Sequence, residues 1–511
     1  MLPTCLPLLL IAALSASLSA QESSLNADLS PLESASSPNI ILILADDLGY
    51  GELGSNGQTK IRTPRLDRLA AEGLRFTQAY SGAPVCAPAR CVLLTGQRSD
   101  RAEIRGNKEV GGWGPREPEG QWPITDASVT LAELVGAQGY ATGVFGKWGL
   151  GGPGSSGHPN AQGFERFYGY LCQRVAHNYY PTHLWDNHNV HVLGNRSFAA
   201  HQRVDSAPED FARFLGTRYA PDEMQREALS FVREHAEQPF FLYLPLVEPH
   251  VAMQPPQEWV ERYPAEWDAE GPYLGDKGYL PHPRPRAGYA AMISDMDENI
   301  GALIDLVDEL GLGENTLILF SSDNGPTHDV GGVDTSFFDS TAGLRGRKGS
   351  VYEGGLRVPM LARWTGRIAA GRASDHVLAF EDVMATLAEL LQIAPPASCD
   401  GLSFLPTLLE RGEQAQHDAL LWEFHGYGGQ KAARLGRWKV VQRDIHKGNT
   451  ALQLYDLASD PGETRDVATE HPELLTRARE LFAERRTPNE QFPMPSDSKT
   501  LGNTPHDAAS K

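Results

Sequence analysis

The chain has 511 residues and a formal net charge of −20, from 45 Lys and Arg against 65 Asp and Glu. So acidic a surface argues against nucleic acid or an anionic membrane as the main partner. An anionic substrate would therefore need a local basic pocket or a metal ion. Of the 5 cysteines, Cys91, Cys172 and Cys399 allow at most one disulfide, which excludes a disulfide scaffold, and no metal-type Cys-x-x-Cys spacing occurs. The length suggests two or three units, although large α/β enzymes often extend one core.

The N-terminus carries an apolar run of Ala, Ser and Leu over residues 6–20. It is shorter than the ~20 residues of a membrane-spanning helix, and its end in small residues is typical of signal-peptide cleavage. The region before the run lacks Lys and Arg, which departs from the usual pattern. We predict a signal peptide over 1–20, a polar tether over 21–37, export to the periplasm or the extracellular space, and no transmembrane anchor.

Four apolar segments predict the central strands, over 40–44, 141–145, 240–246 and 316–320. Continuous aliphatic residues without alternation favour strands that are buried on both faces, as in a parallel sheet covered by helices. Each segment is followed by charged or amide side chains, which are Asp46 and Asp47, Lys147, His250, and Asp323 and Asn324. Because ligands of such sheets bind at the carboxyl ends of the strands, we expect these side chains to converge. The alternative is that these side chains belong to turns and are exposed to solvent.

Helices are predicted from Thr63-Pro64, over 130–135, over 221–235 and over 289–310. Beyond residue 410 the pattern changes to four short strands, over 420–424, 430–435, 438–442 and 453–456, followed by a helix over 472–485. The sequence thus predicts an α/β catalytic domain over 38–410, a small antiparallel α+β subdomain over 411–487 and a flexible tail over 488–511.

A cysteine motif stands out: Cys86-Ala87-Pro88-Ala89-Arg90, followed after four residues by Thr95-Gly96. A thiol near a guanidinium and a helix N-terminus favours a lowered pKa, whereas a buried, inert cysteine is the plainer alternative. Cys-x-Pro-x-Arg followed by Thr-Gly resembles the signature of the type I, formylglycine-dependent sulfatases. Further blocks resemble that family in the family's order, at 41–49, 146–148, 323–325, 348–355, 454–457 and 460–463, so the resemblance covers roughly residues 38 to 487.

The resemblance implies an α/β fold with an alkaline-phosphatase-like core, a mixed and mostly parallel sheet between helices, and a small C-terminal antiparallel subdomain. It implies a sulfuric ester hydrolase in which a formylglycine-generating or other sulfatase-maturing enzyme oxidises Cys86 to formylglycine. The hydrated aldehyde would attack sulfur with one hydroxyl, and its second hydroxyl would let the ester collapse and release sulfate.

The resemblance also assigns site residues. One Ca²⁺ would be held by Asp46, Asp47, Asp323 and Asn324 beside the modified Cys86, and hard oxygen ligands of this kind suit Ca²⁺ or Mg²⁺ and not Zn²⁺. Arg90 would orient the modified residue, Lys147 and Lys348 would grip the sulfate oxygens, and His250 would protonate the leaving alcohol.

The chain departs from the family at Gly149, where many members have a histidine after Lys-Trp. Some group must still accept a proton when the sulfated intermediate collapses. We predict that His177 partly replaces the missing histidine, because a small residue at 149 leaves room for a side chain from the following loop. His328 is the second candidate. The alternative is that both histidines only contact sugar or solvent.

The expected substrate is a sulfated carbohydrate, in keeping with the predicted export and a polar-aromatic patch. The stretches at 149–154 and 177–181 resemble bacterial polysaccharide sulfatases, which implies a galactose-type sugar as one candidate. The residues predicted to bind it are His177, Tyr179, Tyr180, Trp185 and His328, with His425 or Lys431 from the C-terminal subdomain. Two other functions stay open on sequence alone. One is a phosphatase or phosphonate hydrolase on the same fold, and the other is a catalytically silent carbohydrate-binding homologue.

Overall fold

The computed structural model describes residues 37–111, 119–205 and 211–496. The predicted signal peptide and all but the last residue of the predicted tether lie outside the described residues. Within the described ranges, no helix has both the length and the apolar character needed to cross a membrane.

The strands, in chain order, are β1 (Asn39–Ala45), β2 (Leu74–Phe76), β3 (Ala79–Tyr80), β4 (Glu109–Val110), β5 (Gly120–Gln121), β6 (Ala141–Lys147), β7 (Arg166–Tyr170), β8 (His183–Asp186), β9 (Asn189–Val192), β10 (Phe240–Pro245), β11 (Thr316–Ser322), β12 (Met360–Arg363), β13 (Arg372–Ser374), β14 (Leu378–Ala379), β15 (Leu420–Phe424), β16 (Gln430–Leu435), β17 (Trp438–Gln442) and β18 (Gln453–Asp456). The α-helices are α1 (Pro64–Ala71), α2 (Cys86–Thr95), α3 (Leu131–Gly136), α4 (Ala220–Glu234), α5 (Gln257–Val260), α6 (Pro285–Glu309), α7 (Glu353–Leu356), α8 (Asp382–Leu390), α9 (Leu405–Leu409) and α10 (Pro472–Glu484).

The main sheet has the strand order β13-β2-β12-β11-β1-β10-β6-β7-β8-β9. The four strands predicted to form the core are neighbours, and β11, β1, β10 and β6 all run parallel. Ile41 of β1 lies between Leu242 on one side and Ile318 on the other. The outer strand β12 pairs antiparallel with both β11 and β2. The sheet is therefore mixed around a parallel centre, as predicted.

The aliphatic run of β1 explains why helices cover both faces of the sheet. Ile41 and Ile43 contribute to one buried apolar cluster, which includes residues of α1, α4 and α6. Ile40 and Leu42 contribute to a second cluster, together with residues of α2, α3 and α8. Since alternate side chains of a strand point to opposite faces, a run without polar residues needs apolar partners on both sides.

Helix ends follow local chemistry. The Thr130 side chain accepts a hydrogen bond from the Glu133 N–H, and Glu133 accepts one from the Thr130 N–H, which forms a capping box at the start of α3. Helix α2 begins at Cys86 after an extended Val85 and ends at Gly96, whose φ of 66° suits glycine. The start of α2 is fixed by Asn107, whose Oδ1 accepts a hydrogen bond from the Ala87 N–H at 3.0 Å.

The C-terminal part contains the predicted meander of β15, β16, β17 and β18, which pair antiparallel in that order. On one face of this sheet, Ala433 and Val440 pack with Ala478 and Leu481 of α10. The other face packs on the main domain, where Trp422 shares a cluster with residues that include Tyr80 and Leu356. The described residues from Asn39 onward form one compact unit. The boundary at residue 410 stays a prediction.

The first part of the expected flexible tail is packed instead. Phe492 and Met494 are only 3% and 2% exposed, and Phe492 joins the apolar cluster of α2 and α8. The Asn489 Nδ2 donates a hydrogen bond to the Glu103 carbonyl at 2.9 Å. Two apolar side chains within a polar, proline-containing stretch give too weak a pattern to predict this packing. Residues 497–511 lie outside the described ranges.

Candidate active site

The carboxyl ends of the four central strands carry the predicted polar side chains into one region. Asp46 and Asp47 follow β1, Lys147 ends β6, His250 follows β10, and Asp323 and Asn324 follow β11. All six side chains are buried. The loop between β11 and α7 adds Lys348, and α2 presents Cys86 at its first turn.

Cys86 lies at the centre of this group. Its Sγ is 3.3 Å from Asp46 Oδ1, 3.9 Å from Asp47 Oδ1 and 3.3 Å from Lys348 Nζ. The sequence favoured a lowered pKa for this thiol, and the structure corrects that expectation. Burial raises the pKa of Cys86, and the nearby carboxylates of Asp323 and Asp46 raise it further, against the smaller opposite effect of the lysines.

Arg90 and Lys147 hold two of the carboxylates from the side of α2 and β6. The Arg90 guanidinium lies 2.9 Å from Asp323 Oδ2 and 3.2 Å from Asp46 Oδ2, and it also donates to the Lys147 carbonyl. The Lys147 ammonium donates to Asp46 Oδ2. Burial alone would raise the pKa of Asp46, but the charges of Lys147, His250 and Arg90 hold it below its usual range.

Asp47 also contacts several polar groups of the site. Its carboxylate accepts from Lys348 Nζ at 2.9 Å and from Asn324 Nδ2 at 2.7 Å, and its Oδ2 lies 3.7 Å from His250 Nε2. Asp47 has a φ of 66°, a left-handed conformation that costs energy for a residue other than glycine. The Asp47 N–H donates to Asp323 Oδ1 at 3.1 Å, which helps to fix that conformation.

Several of these groups could hold a metal ion. Ligand atoms of Asp46, Asp47, Cys86 and His250 all lie within 4.8 Å of one another. Asn324 Oδ1 is buried without a hydrogen-bond partner in the described structure, as expected of an oxygen reserved for a ligand. Carboxylate and amide oxygens fit a hard cation such as Ca²⁺. Asp323 is paired with Arg90 here, although the sequence places it among the metal ligands.

His177 lies beside His250. The two rings stack at 4.8 Å between centroids with an interplanar angle of 10°. His177 Nδ1 is buried and has no hydrogen-bond partner within the described residues. The Tyr179 hydroxyl donates to the His250 carbonyl at 2.6 Å and thereby fixes the backbone of His250.

Tyr279 is a site residue that the sequence analysis missed. Its ring lies 5.1 Å from that of His177 and 5.8 Å from that of His250. Its φ is 61°, which is rare for a bulky residue. The only signal in the sequence is an aromatic residue after the glycines at 275 and 278, which is too common a pattern to identify a site.

The space beside Gly149 is taken by Gln173 and not by His177. Gly149 has a φ of 82°, and a Cβ at this position would lie 2.6 Å from Gln173 Nε2. Gln173 is 4% exposed, and its Nε2 has no hydrogen-bond partner within the described residues. The expectation that His177 enters the room left by Gly149 is therefore corrected, while the role of His177 as a proton acceptor stays a prediction.

The residues predicted to bind sugar do not share one open surface. Tyr179, Tyr180 and Trp185 pack within the two apolar clusters of the main domain. The Trp185 Nε1 donates to Glu119 Oε1 at 3.0 Å. Because all three rings are buried, they cannot form a platform for a ligand.

The other predicted contacts are also separated. Lys431 is 8% exposed and lies 3.4 Å from Glu423, and burial lowers its pKa. His425 Nδ1 lies 2.7 Å from the Pro493 carbonyl. His328 is half-buried near Lys348, and burial followed by the Lys348 charge lowers its pKa.

The chain is similar to known sulfatases over most of its length. The model of the sulfatase family matches residues 38–393, and that of the N-sulphoglucosamine sulphohydrolase C-terminal region matches residues 346–485. Arylsulfatase A of Bos taurus is 33% identical over 477 residues, covering 88% of this chain and 86% of its own. N-acetylgalactosamine-6-O-sulfatase of Bacteroides thetaiotaomicron is 30% identical, covering 89% of this chain and 94% of its own.

Among solved structures, Ps i-CgsB superimposes with a TM-score of 0.72 at 27% identity, covering 91% of this chain and 97% of its own. The same protein has been solved with k-i-k-neocarrahexaose. These similarities confirm the predicted alkaline-phosphatase-like α/β fold with its C-terminal antiparallel sheet. The matched family model and the relatives agree with the residues found at the strand ends. The chain belongs to the sulfatase family and is a sulfuric ester hydrolase.

Proposed function

We propose that this sulfatase removes a sulfate ester from a sulfated carbohydrate, with formylglycine made from Cys86 as the nucleophile and one Ca²⁺ as the metal. The observation that carries the proposal is the position of Cys86, whose Sγ lies 3.3 Å from both Asp46 Oδ1 and Lys348 Nζ. The reacting atom thus sits between carboxylates that suit a cation and an ammonium that suits a sulfate oxygen.

Asp46, Asp47 and Asn324 would hold the ion next to position 86, with Asp323 completing the set if its contact to Arg90 loosens. The Oδ1 of Asn324, which has no hydrogen-bond partner in the described part of the chain, supports this assignment. When bound, Ca²⁺ supplies positive charge that acidifies a nearby hydroxyl and attracts sulfate oxygens.

The charges of the site support an anionic substrate. Three carboxylates, those of Asp46, Asp47 and Asp323, are in ion pairs with three cationic side chains, Arg90, Lys147 and Lys348. A divalent cation would therefore give the site a net positive charge, which suits a sulfate ester even on a strongly acidic protein.

Each cationic side chain has a place in the proposed reaction. Lys348 contacts both Cys86 and Asp47, so its ammonium is positioned to bind a sulfate oxygen during attack. Lys147 is tied to Asp46 and would bind a second sulfate oxygen. Arg90 fixes the carboxylates of Asp46 and Asp323, through which it would orient residue 86.

Two histidines are proposed to move protons. His250 would protonate the leaving alcohol, since its Nε2 faces the Asp47 side of the pocket. His177 would accept the proton that is lost when sulfate is released, and its buried Nδ1, which has no hydrogen-bond partner among the described residues, supports that role. His328 is the alternative acceptor, because it lies near Lys348 and its Nδ1 is also buried without a partner in the described structure.

A carbohydrate substrate is supported by the relatives. One is described as an N-acetylgalactosamine-6-O-sulfatase, and Ps i-CgsB binds a neocarrahexaose. The apolar segment over residues 6–20 supports export of the protein. An exported enzyme can reach sulfated polysaccharides outside the cell. A formylglycine-generating or other sulfatase-maturing enzyme is the partner that the conversion of Cys86 requires.

A panel of sulfated mono- and oligosaccharides, assayed for free sulfate, tests the proposal. Protein co-expressed with a maturing enzyme should release sulfate from at least one saccharide, lose activity in EGTA and regain it with Ca²⁺ but not with Zn²⁺. The variant Asp46→Ala is the matched control and should stay inactive at any Ca²⁺ concentration. If sulfate is released from aryl esters only, the carbohydrate assignment is wrong.

A further inference from the structure

The turn between β15 and β16 brings one aromatic side chain next to the active site. Tyr427 is 60% exposed, and among the exposed large apolar side chains of the described ranges it is the only aromatic one. Tyrosine is enriched at binding interfaces, because its ring offers an apolar face and a polar tip. The ring meets Phe424 edge to face at 5.6 Å and stays largely exposed, so it is available to a ligand of the neighbouring pocket.

The position of this ring relative to the site is fixed by Gly349, which follows Lys348 in the chain. A Cβ at position 349 would lie 2.0 Å from Tyr427 Cε2, so the ring lies directly against the glycine backbone. The Gly349 N–H donates to the Pro84 carbonyl at 2.7 Å, two residues before Cys86. The ring thus contacts the backbone next to Lys348, and this backbone is hydrogen-bonded to the residues just before the helix of Cys86.

The turn that carries Tyr427 is held firmly. The Gln430 Nε2 donates to the Gly349 carbonyl at 2.7 Å, and the His446 N–H donates to the Gly428 carbonyl at 2.9 Å. The φ of Tyr427 is 47°, a left-handed conformation in which glycine would be unstrained. Strain of this kind persists where the residue serves a purpose that glycine cannot serve.

His328 completes the surface. Its ring meets that of Tyr427 edge to face at 6.2 Å, and its buried Nδ1 has no hydrogen-bond partner in the described structure. An apolar ring face next to a polar atom that lacks a partner matches the flat apolar face and the hydroxyls of a pyranose.

We infer that Tyr427 is a specificity-determining residue of this sulfatase, whose ring stacks on a pyranose of the sulfated carbohydrate while His328 meets one of its hydroxyls. The inference rests on the proposed carbohydrate substrate. Tyr427 takes the place of His425 and Lys431 as the sugar contact from the C-terminal sheet, because the side chains of His425 and Lys431 are engaged elsewhere.

The test compares Tyr427→Gly, Tyr427→Phe and Val192→Ala, with Val192 an exposed residue of the edge strand β9. Tyr427→Gly should lower kcat/KM for a sulfated oligosaccharide about tenfold, mainly through KM, because one aromatic stacking contact is lost. Tyr427→Phe and Val192→Ala should stay within about threefold of the wild type, since stacking needs only the ring. Inhibition by inorganic sulfate should not change in any variant.

The melting temperature separates a binding role from a structural one. Tyr427→Gly should melt within about 2 °C of the wild type, because the ring is exposed and the backbone conformation suits glycine. A Tyr427→Gly variant with unchanged KM, or a Tyr427→Phe variant as weak as Tyr427→Gly, overturns the inference while the proposed function stands. A wild-type enzyme that hydrolyses no saccharide overturns both.

Discussion

His177 and His250 form the stacked pair on which proton transfer in this site would depend. The His250 carbonyl is fixed by the Tyr179 hydroxyl, and the nearly parallel rings restrict how the His250 imidazole can turn. His177 could therefore act in two ways, as a proton acceptor through its Nδ1, which has no hydrogen-bond partner within the described ranges, or as a packing partner that orients His250.

Two substitutions of His177 separate these roles. His177→Ala removes the ring and His177→Phe keeps a ring that can stack on His250 but has no nitrogen. If His177 accepts a proton, both variants should lose at least about tenfold in kcat with little change in KM, because general base catalysis typically contributes 10²–10⁴-fold. Steady-state kinetics on one sulfated saccharide measures this. Recovery of kcat in His177→Phe alone would show that the ring only positions His250.

At the scale of elements, the C-terminal sheet is joined to the main domain by a buried ion pair. Lys439 of β17 lies 2.8 Å from Glu353 at the start of α7, and both side chains are fully buried. The same carboxylate accepts from the Tyr80 hydroxyl at 2.7 Å. Helix α7 follows the Lys348 loop, so this pair also steadies one side of the active site.

Replacing Lys439 by methionine would leave the carboxylate of Glu353 buried without its strongest partner. Lys439→Met should therefore lower the free energy of unfolding by about 3–5 kcal/mol, measured by urea denaturation. The double variant Lys439→Met with Glu353→Gln is the control, and it should recover only part of the loss, because the charge of Glu353 is removed while the buried Glu463, 3.6 Å from Lys439, still loses its partner. A single variant as stable as the wild type would show that the pair does not hold the sheet.

The central strands could be predicted because each carries its own signal. A run such as 40–44 has no polar residue, so it must be buried on both faces, and its polar ends must then meet at one edge. The strand meander near residue 420 was likewise evident from short segments separated by turn residues. These local patterns were sufficient to bring Asp46, Lys147, His250 and Asp323 together.

The contacts between loops could not be predicted in this way. Gln173 beside Gly149, Tyr279 beside His177 and Tyr427 against Gly349 join residues that are far apart in sequence and carry no periodic pattern. Burial was also misjudged for Tyr179 and Trp185, since an aromatic residue near polar neighbours can face either the core or the solvent. Such choices are settled by packing, which a single sequence does not display.

At the scale of the whole molecule, the segment after α10 packs onto the core of the main domain. Phe492 is 3% exposed and packs in the cluster that also contains residues of α2, the helix of Cys86. The neighbouring Gln491 is exposed, and its side chain accepts a hydrogen bond from Lys108 at 2.7 Å.

Phe492→Ala should lower the free energy of unfolding by about 3–5 kcal/mol, as is typical when a buried phenylalanine is truncated. Gln491→Ala, one residue away on the surface, should change it by less than about 0.5 kcal/mol. Thermal or urea unfolding of both variants decides the matter. Equal, small effects would mean that the segment does not contribute to the core.

The central claim is that hydrolysis depends on formylglycine at position 86, and mass spectrometry of the peptide that contains this residue tests it most directly. The peptide should carry the aldehyde in protein produced with a maturing enzyme, and the fraction converted should rise in proportion to sulfate release across preparations. Cys86→Ala should show neither aldehyde nor activity. Preparations that release sulfate while residue 86 remains entirely a thiol would contradict the account.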